Sequence, residues 1–152
     1  MSTYALGHSD RELERLSAQS RMLEPFTRQL LQEAGLAPGT RVLDVGTGHG
    51  DVALLIRRLT GDAGEVIGVD TSAGAVAAAT ERVGRLGITN VRFMEGNAAD
   101  MVFDEPFDAV VGRLVLMYSP DPLATLRKLI RHVRPGGLIV LQEFDEIGRA
   151  HV

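Results

Sequence analysis

Asp44, Gly46, Gly48, Gly50, Asp51 and Asp70 are the residues whose types and spacing carry chemistry in this chain. Residues 42–50, VLDVGTGHG, form an apolar run that ends in an acid and passes into glycines at alternate positions. Without a Cβ, those glycines let the main chain turn tightly and approach a ligand closely, which makes a backbone cradle for a small molecule. A helix starting near Asp51 would aim its free N–H groups at the same spot. Asp44 stands in an otherwise apolar strand, where a carboxylate is costly unless it is hydrogen-bonded. An acid there suits recognition of donors or of positive charge.

Three nucleotide-type ligands compete for such a loop. A phosphate-cradling loop requires Gly-Lys followed by Ser or Thr, whereas Gly50 is followed by Asp51 and Val52. A dinucleotide turn fits better, because Gly48-His49-Gly50-Asp51-Val52-Ala53 satisfies the looser G-x-G-x-x-A form and Asp70 follows about 20 residues later. Against it, Asp51 would repel a pyrophosphate at the helix N-terminus, and Asp44 adds negative charge from the strand side. Two flanking acids favour a ligand with a positive centre. S-adenosylmethionine has a sulfonium, an ammonium and no phosphate.

The elements that must position these residues alternate between strand and helix patterns, the sign of an α/β fold with an open parallel sheet and crossover helices. Strands are expected at 41–45, 65–70, 91–95, 107–112 and 138–144. Pro25 reads as a helix start and Gly35 as its end, with Phe26, Leu30, Leu31 and Ala34 on a helical repeat. Ser72 is placed to N-cap an alanine-rich helix that ends near Leu86 and Gly87. Asp121 with Pro122 opens another, which stops before Pro135-Gly136-Gly137. In such a sheet the ligand binds beyond the carboxyl ends of the strands, where strand order reverses. Asp44, Asp70, Asn97 and Arg113 all fall at or just after strand ends.

At 152 residues, 45% hydrophobic content and a formal charge of −4, the chain reads as one domain of ordinary core size. Nothing basic suggests nucleic acid as a partner. The absence of cysteine excludes a disulfide scaffold, a thiolate nucleophile and Cys-ligated zinc, and no metal is expected. These residues carry no signal-peptide pattern and no apolar run approaching about 20 residues, so the expected location is the cytoplasm, with no membrane partner.

Five blocks, VLDVGTGHGDVA, VIGVDTS, FMEGNAAD, FDAVVGRLVLMY and RPGGLIVLQE, resemble in order and spacing the class I S-adenosylmethionine-dependent methyltransferases. The resemblance covers about two-thirds of the residues, roughly 41–144. It implies a Rossmann-like sheet of order 3-2-1-4-5 with helices on both faces, S-adenosyl-L-methionine as cofactor, and methyl transfer to a small-molecule O, N or C nucleophile. Gly46, Thr47, Gly48 and Gly50 would line the methionine part of the cofactor, and Asp44 would hold its amino group or order the loop. Asp70, grouped with Thr71, would take both ribose hydroxyls, for which a carboxylate offers two acceptor oxygens.

The family commonly has an acid facing the adenine amine after the third strand, and here the block reads Gly96-Asn97-Ala98-Ala99-Asp100. Asn97, with Ala98 beside it, can accept from that amine through its amide oxygen; Asp100 can do so from a shifted turn; or Asn97 only turns the chain. Arg113 is a partner for the cofactor's carboxylate or an acidic substrate, or else an exposed or structurally paired arginine. Tyr118 and Met117 wall the pocket or belong to the core. Glu143 and Asp145 are substrate-side acids or serve edge-strand solubility. His8 is the candidate general base, against the simple alternative of a solvated histidine. His49 shapes the loop, and His132 has no apparent partner. The competing functions are a nicotinamide-dependent oxidoreductase domain and a non-catalytic cofactor-binding module.

Three segments are expected: a helical cap or lid at 1–36, a cofactor-binding core at 37–146, and a non-native tail at 147–152. The tail, Ile147-Gly148-Arg149-Ala150-His151-Val152, resembles the translation of a widely used sequencing adapter. On that reading the native sequence ends near Asp145 here and the gene continues, with the last two strands of the family's sheet absent and the fifth strand left as an open edge. Oligomeric state is not encoded in any of these features.

Overall fold

The computed structural model describes residues 3–144, with side chains from Arg11 onward except Leu13. The side chain of His8, together with Asp145 and the expected tail, lies outside the described residues. The elements run α1 (Thr3–Glu33), β1 (Arg41–Val45), α2 (Asp51–Thr60), β2 (Glu65–Asp70), α3 (Ala73–Arg85), β3 (Val91–Glu95), β4 (Phe107–Arg113), a 3₁₀ turn (Leu116–Tyr118), α4 (Pro122–Ile130) and β5 (Val133–Gln142). The strands form one sheet in the order β3-β2-β1-β4-β5, and every pairing is parallel.

β1 occupies the middle of the sheet and is buried on both faces, which is why Val42, Leu43 and Val45 read as a run rather than an alternation. Successive side chains still point to opposite faces. Val42, Val66, Ala109 and Val140 pack with α1, α2 and Val83 of α3. Leu43, Ile67, Val110 and Phe107 pack on the other face with Leu129 of α4. Local signals set the helix starts: Ser72 Oγ accepts from the Ala75 N–H at 3.2 Å, and Asp121 Oδ1 accepts from the Ala124 N–H at 3.0 Å with Pro122 at the first helical position. No helix among the described residues is long and apolar enough to cross a membrane.

Two expectations are corrected. Pro25 does not begin a helix: α1 runs from Thr3 to Glu33 straight through it. Proline lacks the N–H that would serve the Arg21 carbonyl, at a cost of about 3 kcal/mol in a helix interior. The helix is held across this point by tertiary contacts, with Leu31 in the core and Glu24 paired to Arg58 of α2 at 3.2 Å. β5, expected at 138–144, begins at Val133 and ends at Gln142. Pro135, Gly136 and Gly137 do not precede it but lie inside it, where the register slips between Phe107↔Val133 and Ala109↔Leu138. Gly137 is required there, because a Cβ would stand 2.7 Å from the Asp108 carbonyl.

Candidate functional site

The carboxyl ends of β1, β2 and β4 open into one cavity of about 1360 Å³, roofed by α1 and bounded by α3 and the segment after β4. Strand order reverses between β2-β1 and β4, so the cavity lies where an open parallel sheet places its ligands. Of the residues singled out in the sequence, Asp44, Gly46, Thr47, Gly48, Asp70, Thr71, Asn97, Ala98, Arg113 and Tyr118 line it.

The glycine loop is built by its own neighbours. Gly46, Gly48 and Gly50 have φ of 67°, 54° and 88°, the left-handed region that glycine adopts without strain. Gly48 N–H donates to Asp70 Oδ2 at 2.9 Å, and Ser72 N–H donates to Asp70 Oδ1 at 2.9 Å. Asp70 thus ties the β1 loop to the start of α3. A carboxylate has about four lone-pair sites, so each oxygen keeps capacity for a ligand hydroxyl. Gly50, expected to touch the cofactor, does not line the cavity: a Cβ there would sit 2.8 Å from Phe93 Cζ, so this glycine serves packing.

Asp44 is 1% exposed and accepts from Thr47 Oγ1 at 2.7 Å. Burial pushes its carboxyl up to about 7, against the opposing pull of the Thr47 hydroxyl and the Arg113 guanidinium. Asp51 is not the bare acid that the sequence suggested. Arg82 of α3 donates to its Oδ1 at 2.7 Å and to the His49 carbonyl at 3.2 Å, pinning the loop and offsetting the charge. The electrostatic reason for disfavouring a dinucleotide is therefore weaker than the sequence implied. Arg82 went unrecognised, although Ala75, Ala78 and Arg82 recur at helical spacing on the α3 face that lines the cavity.

Asn97 turns the chain: its Oδ1 accepts from the Ala99 N–H at 3.1 Å and its Nδ2 donates to Asp100 Oδ2 at 3.2 Å. It also lines the cavity, so one side chain both turns the chain and forms part of the wall. Asp100 does not line it, and its Oδ1 accepts from Lys128 Nζ at 2.7 Å. His132 does have a partner. Its Nε2 stands 2.7 Å from the Ala98 carbonyl, and its ring meets Phe103 edge-on at 5.0 Å, so α4 and the β5 approach brace the 96–100 loop.

Beyond β4 the arrangement changes. Arg113, half-buried, donates from Nη2 to Ser20 Oγ at 2.9 Å and from Nη1 to Thr27 Oγ1 at 3.3 Å, both on α1. Burial lowers its pKa, while Asp44 acts as the leading counter-charge. Leu114 follows with φ 56°, the single non-glycine residue at positive φ among those described. Such a backbone costs of order 1–3 kcal/mol and persists only when its surroundings over-determine it. They do here. Leu114 N–H donates to the Gln142 carbonyl at 2.7 Å, and Glu143 Oε1 accepts from the Val115 and Leu116 N–H groups at 3.0 and 2.8 Å. Glu143 does not line the cavity; it fixes the wall that does, with its Oε2 buried and unpartnered. Met117 stays outside the cavity, and Tyr118 lines it while 78% exposed.

The remaining wall comes from Leu16, Ser20 and Leu23 of α1, with Val115, Ser119, Pro120 and Thr125 opposite. None of these carried a signal in the sequence, because the contacts that make them neighbours are remote along the chain. No cluster of potential metal ligands occurs among the described residues.

A family model described as a methyltransferase domain matches residues 36–151. Demethylmenaquinone methyltransferase of Bacillus cytotoxicus is 33% identical over 122 residues, which cover 80% of this chain and 52% of that protein. A solved S-adenosylmethionine-dependent methyltransferase from Aquifex aeolicus is 29% identical with a TM-score of 0.70, covering 82% of this chain and 67% of that one. Coclaurine N-methyltransferase, solved with N-methylheliamine and S-adenosylhomocysteine, has a TM-score of 0.71 at 20% identity, covers 77% of this chain and 34% of that one, and supports the fold alone. The chain spans about half the length of the curated relatives it matches.

Proposed function

This chain belongs to the class I S-adenosylmethionine-dependent methyltransferases, and from that premise we propose that the protein transfers a methyl group to a small-molecule O, N or C nucleophile at the cavity beyond β1, β2 and β4. When bound, the cofactor supplies an electrophilic methyl group, which the acceptor's lone pair or carbanion takes by in-line displacement as the sulfonium carbon–sulfur bond breaks. The donor set fits that cofactor. Asp70 keeps acceptor capacity for two ribose hydroxyls, Asp44 offers a carboxylate to an ammonium, and the 46–50 loop leaves its backbone open to a ligand. Asn97, Ala98 and Thr71 supply the remaining contacts on the adenosine side.

The observation that carries this reading is Asp70, whose two oxygens already organise the loop and the α3 start that border the cavity. α1 lines the cavity from above with Leu16, Ser20 and Leu23, which supports the role of a cap that would shield the reacting groups from water. Alignment and desolvation supply much of the rate in such displacements, so no base is required of the described residues; His8 stands as the candidate where the acceptor must lose a proton. Leu16, Leu23, Leu114, Val115 and Tyr118 give the acceptor side an apolar wall, which favours an apolar acceptor. The relatives named for demethylmenaquinone support the same preference.

The test is calorimetric titration of the purified protein with S-adenosylhomocysteine, with NAD as the competing ligand, followed by turnover on a panel of phenols, amines and carbon acids. Saturable binding of the thioether and none of NAD is expected. NAD binding in its place would return the oxidoreductase reading, and binding without turnover on any acceptor would leave a cofactor-binding module.

A further inference from the structure

Pro25 divides α1 into two stretches with different duties. Before it, Leu16, Ser20 and Leu23 line the cavity. After it, Leu30 and Leu31 pack into the core beside α2. A proline inside a helix removes one i→i−4 hydrogen bond, here the one to the Arg21 carbonyl, and the interruption is a natural place for a helix to bend.

A single side chain spans that interruption. Arg113 reaches Ser20 before Pro25 and Thr27 after it, at 2.9 and 3.3 Å. Ser20 and Thr27 are two turns apart on one face of the helix, and both are buried, at 8% and 2% exposure. The two bonds differ in support. Thr27 is held independently, its hydroxyl 2.6 Å from Gln142 Oε1 and 3.1 Å from the Leu23 carbonyl, with its one hydrogen serving either. For Ser20 Oγ, Arg113 is the hydrogen-bond partner that connects it to the sheet. Arg113 itself stands at the end of β4, on the cavity floor with Asp44.

We propose that Arg113 is a positioning residue, a latch that holds the outer stretch of α1 shut over the bound cofactor while Pro25 serves as the hinge on which that stretch opens. The proposal rests on the methyltransferase reading of the cavity and goes beyond it by assigning the gate. Arg113 thus has a role distinct from pairing with the cofactor's carboxylate: its guanidinium is engaged with the helix roof. A planar fork is needed to reach two hydroxyls at once, so lysine is a poor substitute.

The experiment compares the wild-type protein with Ser20→Ala, Pro25→Ala, Arg113→Ala, Arg113→Lys and Thr27→Ala. It measures the dissociation rate of S-adenosylhomocysteine by stopped flow and amide hydrogen exchange along α1. Ser20→Ala should raise the dissociation rate and speed exchange in residues 11–24 about tenfold, the effect of losing one charge-assisted hydrogen bond, with residues 26–33 unchanged. Arg113→Lys should resemble Arg113→Ala, and Thr27→Ala should loosen the inner stretch as well. Pro25→Ala should slow both release and outer-stretch exchange. A folded Ser20→Ala protein with wild-type dissociation and exchange overturns the latch while leaving the cofactor site standing. Failure of the wild-type protein to bind S-adenosylhomocysteine overturns both readings. If Arg113→Ala does not fold, Ser20→Ala and Pro25→Ala decide the matter alone.

Discussion

The ends of β1 and β2 and the end of β4 face each other across one cavity, yet they are built in opposite ways. At the first, polar groups are satisfied within one stretch of the chain, residues 44–82: Thr47 by Asp44 three positions back, Gly48 by Asp70 at a separation of 22, and Asp51 by Arg82 at 31. At the second the partners lie on α1 and just past the end of β5, outside any single stretch. Arg113 bonds to α1 at separations of 86 and 93, and Val115 and Leu116 depend on Glu143 at 28 and 27. The β1–β2 end, proposed to hold the cofactor, is closed within one contiguous stretch, and the β4 end, proposed to face the acceptor, joins segments from both ends of the chain.

That contrast predicts unequal mutational effects. Asp70→Ala should have the largest, because it removes the acceptor of two backbone N–H groups together with the ribose contact; S-adenosylhomocysteine affinity should fall at least about 100-fold by calorimetry. A loss below tenfold would break the claim that this side anchors the cofactor.

Asp44→Asn comes next and reads the cost of burying a charge. The folded carboxyl titrates at about 7 while an unfolded aspartate titrates near 4. Between those values the folded chain holds a proton that the unfolded chain has lost, so this residue's contribution is full below about pH 4 and is lost as pH rises through about 7. The asparagine variant should lack that decline and gain on the order of 3 kcal/mol at pH 8 in urea unfolding, while binding S-adenosylhomocysteine more weakly. A wild-type stability that rises from pH 4 to 7 as steeply as the variant's would contradict the assignment.

Glu143→Ala belongs to the other side. It strands the Val115 and Leu116 N–H groups, so stability should drop by about 2 kcal/mol with S-adenosylhomocysteine affinity within about threefold of wild type. A large affinity loss would show that the two sides are coupled more tightly than their separate construction suggests. The smallest effect is expected for His132→Ala. It frees the Ala98 carbonyl from its remote brace, and should cost about 1 kcal/mol of stability and two- to threefold in affinity.

The same division explains what the sequence disclosed. β1, β2 and β3 begin and end where the sequence pattern places them, and Ser72 and Asp121 cap the helices they precede. Those signals are local. Pro25 misled because core packing of α1 outweighs the lost helical bond, and Pro135-Gly136-Gly137 misled because a register slip in β5 absorbs them. At the site, Asp44, Gly46, Gly48 and Asp70 were legible as cavity residues from their spacing, whereas Gly50 serves packing against Phe93. The brace at His132, the lock at Glu143 and the engagement of Arg113 with α1 were not, since nothing near those residues in sequence names the partner. Asp51 was legible as an acid but not as half of an ion pair, because Arg82 approaches it from another helix.

The central position of β1 has a consequence in time. Its two edges are claimed by strands that emerge from the ribosome far apart, β2 beginning at Glu65 and β4 at Phe107. A chain made N-terminus first can pair β1, β2 and β3 under α2 and α3 while the other edge of β1 stays bare. The half built from β1, β2 and β3 is then assembled before β4 and β5 exist. During that interval a second nascent chain can add to the open edge, the most direct route to misassembly for this topology. Pulse-labelled hydrogen exchange during refolding would report it: amides of β2 and β3 should gain protection before those of β4 and β5, and simultaneous protection would rule this order out.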